Sequence, residues 1–230
     1  MKRILAMAAV CLLLAACTTT NVKSVAGTAT RTPPAGARIL LIQPDIELSL
    51  LTASGLLEPR ADWTAAGRTN IQASVEAALK GKSHSFNGLD PSTAMGGRGG
   101  QLLRLNGEVG KSILLFNYGY IKLPTKAGSF DWTLGEGAQV LGQTYNADYA
   151  LFIYGRGSYS SGARVAMMIG MAALGVGLPT GGQQVFASLV DLKTGQVVWF
   201  NLAQAAPGAD MRTPEGAALL TTSLLKDVPL

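Results

Sequence analysis

The sequence predicts an α/β fold of the α+β kind: a small mixed sheet with helices packed on it, ending in a β-hairpin and a carboxyl-terminal helix. Three observations carry that expectation. The unbroken apolar run Ile39 to Ile42 is the pattern of a strand covered on both faces. Three stretches between residues 62 and 146 repeat apolar residues at helical spacing. Beyond them come three strand-like runs, the last two separated only by Lys193-Thr194-Gly195.

The first strand lies in ARILLIQPDIELSLL (37–51), where Pro44, lacking an amide proton, breaks or edges it. A helix is expected from Asp62 to Lys80, with Ile71, Val75, Ala78 and Leu79 on one side, a weak point at Gly67, and Gly81 as its stop. NGLDPSTAMGGRGG (87–100) is rich in Gly and Pro and reads as a flexible loop. A second helix follows from Gln101 to about Tyr118, with Leu102, Leu105, Val109, Ile113 and Phe116 on one stripe and Arg104 paired with Glu108. Thr133-Leu134-Gly135-Glu136 matches a capping box, opening a third helix through Leu141 and Tyr145 to about Asn146. Strands are expected from Asp148, Gln183 and Gln196, with Gly195 supplying the left-handed residue of a tight hairpin. The final helix, Pro214 to Leu225, has proline and Glu215 in its first turn.

The amino terminus has a different character. Lys2 and Arg3 precede an uncharged apolar run, Ile4 to Ala16, which is the pattern of a signal peptide and too short for a spanning helix. Leu14-Ala15-Ala16-Cys17 resembles the lipobox of bacterial lipoproteins. That resemblance implies cleavage of residues 1–16, diacylglycerol on Cys17, and further acylation of the new terminus. One acyl chain binds a bilayer only marginally, with a constant of about 10⁴ M⁻¹, so more than one chain makes the anchor durable. Thr18, where retention in the inner membrane would have an aspartate, implies the periplasmic face of the outer membrane, with the inner membrane as the alternative. The cysteines are Cys11 and Cys17. With Cys11 removed and Cys17 acylated, disulfides, a thiol nucleophile and a cysteine metal site are excluded. Residues 17–37, the lipidated cysteine and TTTNVKSVAGTATRTPPAGA, read as a flexible tether; 20 such residues span about 25 Å. Residues 38–230 form one domain, with an apolar insertion at 164–180.

Without residues 1–16 the formal charge falls from +5 to +3, and Lys and Arg are scattered singly, so no nucleic-acid footprint is present. Charged residues are only 14% of the chain against 48% hydrophobic, so apolar surface is expected to meet a partner or a membrane. Gly81-Lys82-Ser83 and Gly110-Lys111-Ser112 lack the earlier glycine of a phosphate loop, having Glu76 and Leu105 instead, so no nucleotide is expected. No Gly-x-Ser-x-Gly elbow occurs, and His84, the one histidine, reads as a solvated loop residue. Asp45 with Glu47, and Asp148 with Asp191, sit at strand termini and are the acid–base candidates of a hydrolase reading. No catalytic residue, cofactor or metal is assigned.

VAMMIGMAALGVGL (165–178) lies between Arg164 and Pro179 and is too short to span a bilayer. Three roles fit it: a buried core helix, a subunit or partner contact through Arg164, Ala166, Gly170, Ala173 and Gly177, or insertion into a membrane surface.

ADYALFIYG (147–155), ASLVDLKTGQVVW (187–199) and RILLIQPDIEL (38–48) together resemble the small α/β domain shared by the TolB amino-terminal region, the curli-secretion lipoproteins and the lipoprotein activators of cell-wall synthases. The resemblance implies a non-catalytic interaction or assembly module in the envelope, possessing a homo-oligomer or other envelope proteins as partners. A subunit of an oligomeric outer-membrane secretion complex is the second expectation, and an envelope hydrolase using an acidic pair the third.

Overall fold

The computed structural model describes residues 19–24, 32–94, 96–126, 129–205 and 208–230. The expected signal peptide, Cys11 and the expected lipidation site Cys17 lie outside the described residues. Strands β1 (Thr19–Ser24), β2 (Arg38–Ile42), β3 (Asp45–Leu51) and β4 (Leu57–Pro59) precede helix α1 (Ala61–Leu79). β5 (Ser85–Leu89), α2 (Gly97–Ile113), α3 (Gln139–Tyr145) and β6 (Tyr149–Ser160) follow. The chain closes with α4 (Gly162–Ala173), β7 (Gln183–Asp191), β8 (Val197–Gln204) and α5 (Pro214–Leu224).

The strands form one mixed sheet in the order β1-β8-β7-β6-β2-β5, with β3 continuing along β6 beyond β2 and β4 bonded to β3. β2 runs parallel to β5 and β6, and β3 parallel to β6. Pro44 marks the break: between Leu41↔Leu151 and Asp45↔Tyr154 four residue steps oppose three, so β2 and β3 are two strands along one long neighbour.

Both faces of the central strands are covered, which is why β2, the first half of β6, β7 and β8 are buried without alternation. Ile39, Ile46, Leu48, Leu151, Ile153 and Leu189 pack against Ile71 and Val75 of α1 and Leu220 of α5. Leu40, Phe152, Phe186 and Phe200 pack on the opposite face with Ile113 of α2 and Leu141 of α3. Gly67, the weak point in α1, lets the helix approach closely: a Cβ there would stand 3.1 Å from Leu48. The β7–β8 hairpin turns at Gly195, φ +75°, and α5 is capped by Thr213 Oγ1, which accepts from the Gly216 amide at 3.2 Å.

Four local expectations are corrected. Thr19–Ser24, inside the expected tether, is strand β1, paired antiparallel with β8 from Thr19↔Gln204 to Ser24↔Trp199. Residues 85–89 are an edge strand beside β2, so the segment read as a loop begins in the sheet, where β2 offers an open edge. The buried stripe of α2 is Leu102, Asn106, Gly110 and Ile113, while Leu105 is exposed. Asn106 is drawn inward because its Oδ1 accepts from the Ser188 hydroxyl at 3.0 Å. The capping box does not form: Thr133 Oγ1 accepts from the Gly135 amide at 2.8 Å, Gly135 takes φ +75°, and α3 is entered through a short 3₁₀ turn.

Candidate interaction surface

α4 leaves the sheet after Ser160 and the chain returns at Gln183. Its start is set by Ser161, whose Oγ accepts from the Arg164 amide at 3.0 Å. Its end is a Schellman closure: the Val176 amide donates to Met171 O at 2.9 Å, the Gly175 amide to Ala172 O at 3.0 Å, and Gly175 has φ +77°. These bonds satisfy the Met171 and Ala172 carbonyls at the helix end.

The buried-helix role for this segment does not hold. Of α4 only Arg164 is buried, while Ile169 is 68% and Leu174 76% exposed, and Val165, Met167 and Val176 are exposed as well. Among the described residues no other helix or strand makes more than slight contact with α4. From Val165 to Gly182 there is no charged side chain. Solvent-facing apolar residues therefore surround this helix, an arrangement that a water-exposed helix does not ordinarily have.

Among the contact positions expected from sequence, Ala166, Gly170 and Ala173 are exposed on α4. Gly177 is exposed too but lies past the helix end, so the small-residue stripe has three helical members. Arg164 differs: it is 6% exposed, and its guanidinium donates to Ala53 O at 3.3 Å and Pro179 O at 2.9 Å. It is the lock that ties the base of the excursion to the β3–β4 turn, where Leu56 and Leu57 are also exposed. Those two leucines were not singled out from sequence. Their signal was the Ser54-Gly55 turn immediately before two adjacent leucines.

Beside this end, Arg212 lies over the Tyr159 ring at 3.5 Å and the Trp63 ring at 4.5 Å, and Arg60 covers Trp63 at 4.2 Å. Asp210 accepts from Arg212 Nε at 3.0 Å and from the Tyr159 hydroxyl at 2.7 Å. Burial works against the Asp210 carboxylate, yet the bonds from Arg212 and Tyr159 outweigh it and hold the group below its ordinary value. Burial, with the Asp210 contact, pushes the Tyr159 hydroxyl well up.

The acidic candidates all have structural partners. Arg156 bonds Asp45 at 3.1 Å and Glu47 at 3.0 Å. Asp148 accepts from Arg38 Nε at 3.0 Å and NH2 at 2.5 Å, and these bonds lower its carboxyl pKa. Asp191 Oδ1 accepts from the Lys193 amide at 2.8 Å, fixing the hairpin turn. A cleft of about 430 Å³ opens at the Pro44 break, bounded by Asp45, Arg68, Arg104, Asn106 and Tyr154. Among the described residues no group of three His, Cys, Asp or Glu is placed to hold a metal.

Both Gly-Lys-Ser runs have structural explanations. Gly81 takes φ +86° after α1, and Gly110 lies within α2 against the Phe186 ring. His84 is half-buried rather than fully solvated, with Nδ1 enclosed and the ring edge-on to Phe86 at 6.5 Å.

No family model and no curated protein matches this chain. Solved structures do. The chain is similar to the PelC dodecamer protein of Paraburkholderia phytofirmans, at 12% identity and a TM-score of 0.39, over 92% of this chain and 98% of that one. It is similar to the lipoprotein GNA1162 of Neisseria meningitidis at 15% identity and 0.37, over 84% and 97%. The LpoB carboxyl-terminal domain of Salmonella enterica matches at 14% and 0.27, over 75% and 84%. Overlaps of this size do not establish a shared fold.

Proposed function

We propose that this chain is a lipid-anchored envelope protein that works without catalysis, as an interaction or assembly module on the periplasmic face of the outer membrane. The lipobox at Cys17 supplies the anchor, and Thr18 supports the outer over the inner membrane. The observation that carries the interaction role is the α4 excursion, a helix apolar and uncharged beyond Arg164, which locks its base, and left uncovered by the other described residues. An exposed apolar surface of this kind marks a place that something else covers. The ion pairs of Asp45, Glu47 and Asp148 support a structural use of those carboxylates over a hydrolytic one.

The test joins two measurements in whole cells. Mass spectrometry of the amino-terminal peptide is expected to show acylated Cys17, and Cys17→Ser to release the protein from the outer-membrane fraction. Ile169→Asp with Leu174→Asp is expected to leave the folded body intact by circular dichroism while abolishing the crosslinks, to lipid or to protein, of a photoreactive probe placed at position 167. Unchanged crosslinks in that variant would remove the assigned surface.

A further inference from the structure

The strand register fixes where the anchor lies relative to the exposed excursion. β1 begins at Thr19, opposite Gln204 of β8, which pairs with Gln184 of β7, which pairs with Arg156 of β6. β6 runs on from Arg156 to Ser160, and α4 starts two residues later. Thr19, the α4 excursion and the β3–β4 turn are therefore all at one end of the sheet, and the β7–β8 turn with Lys193 is at the other.

Distances follow from standard geometry. Only Thr18 separates Cys17 from β1, so the acylated residue reaches at most about 7 Å from the sheet, not the 25 Å of a free tether. Three strand spacings, about 14 Å, separate β1 from β6 across the sheet. The ten residue steps from Arg164 to Leu174 rise about 15 Å, comparable to half of a hydrocarbon core about 30 Å thick.

We propose that the α4 excursion, with Leu56 and Leu57 beside its base, is a second membrane contact that dips into the leaflet holding acylated Cys17. This rests on the lipid-anchor reading and names the bilayer as what covers the exposed helix. Three features favour lipid over another protein surface. Apolar residues are exposed around α4 rather than on one stripe, so an apolar solvent on several sides suits it better than a single groove. The tip carries no charged side chain, so no ion need be desolvated on entering hydrocarbon, and its Schellman bonds occupy the Met171 and Ala172 carbonyls. The short lead from Cys17 holds this end at the bilayer without any further recognition. Among the described residues no helix is long and apolar enough to cross a membrane, so the contact is with one leaflet.

The experiment uses the full chain, purified from membranes and reconstituted in vesicles of phosphatidylethanolamine and phosphatidylglycerol. Spin labels are placed by Ile169→Cys, Leu174→Cys and Lys193→Cys, and the amino-terminal peptide is weighed in the same samples. At 169 and 174, collision with oxygen is expected to exceed collision with a water-soluble nickel complex several-fold, with the reverse at 193. Labels at 169 and 174 that meet nickel as freely as the label at 193 overturn the proposal whatever the peptide mass. Labels shielded from both reagents, with chain-to-chain crosslinks at 169, overturn it in favour of a second copy. Immersed labels on a chain whose Cys17 is unmodified uphold the contact and remove the anchor reading instead.

Discussion

The Phe186 ring occupies the space a side chain at Gly110 would fill: a Cβ there would lie 2.3 Å from ring carbons Cε2 and Cζ. The ring has little room to retreat, being stacked on Tyr154 at 4.8 Å and on Phe200 at 5.1 Å. Gly110→Ala is therefore expected to lower stability by about 1–3 kcal/mol through overpacking. That sign opposes the gain of about 1 kcal/mol that alanine brings to an open helix position. Gly107→Ala is the control, because its Cβ would meet Tyr154 at an ordinary 3.7 Å. Urea denaturation of the two variants checks the contrast, and equal effects would refute the packing assignment.

Arg164 holds the excursion by reaching two carbonyls that are far apart in sequence, Ala53 and Pro179. A single ammonium lacks the planar fork, so Arg164→Lys is expected to lose at least one bond, at a local cost of about 1–3 kcal/mol. Hydrogen exchange should accelerate at Leu174 and Val176 while the amides of β7 stay protected. Uniform acceleration across the sheet would mean that Arg164 supports the whole fold and not the excursion.

Asp210 sets an acid limit. Its folded carboxyl pKa is depressed by Arg212 and Tyr159 against the opposing effect of burial. The stability it contributes is thus complete above the ordinary carboxylate value of about 3.9 and is lost as pH falls through the lower folded value. Asp210→Asn is expected to be less stable than the parent at pH 6 and to approach it at pH 2. A gap of the same size at both pH values, read from thermal melts, would assign the effect to shape and not to charge.

Strand β1 takes up part of the expected tether. Pairing of Thr19–Ser24 with β8 should slow exchange at alternate amides of that segment in the intact protein. Rates equal to those of an unstructured peptide throughout 19–24 would restore the long tether.

The apolar run Ile39–Ile42, the helix carrying Ile71 and Val75, and the hairpin at Gly195 were legible because their spacing or turn chemistry is local. Of the face expected for α2, Leu102 and Ile113 are buried but Leu105 is not, and Asn106 and Gly110 turn inward instead. Which side of that helix goes inward depends on Ser188 and Phe186, about 80 residues away, and a hydrogen bond that buries Asn106 leaves no trace in helical periodicity. The edge strands β1 and β5 were missed for a related reason: segments with little apolar patterning, a mostly polar one and one holding Gly88, pair there because a neighbour offers an open edge.

By itself the sequence determined the layered α/β plan, the resemblance of Leu14-Ala15-Ala16-Cys17 to a lipobox and the uncharged run from Val165 to Leu178, since each is written in contiguous residues. Tertiary structure alone decided that this run stands outside the core, that Arg164 serves as its lock, and that it shares one end of the sheet with β1. Burial and proximity are properties of strand register and long-range packing, and hydropathy along a chain does not encode which neighbours will arrive to cover it.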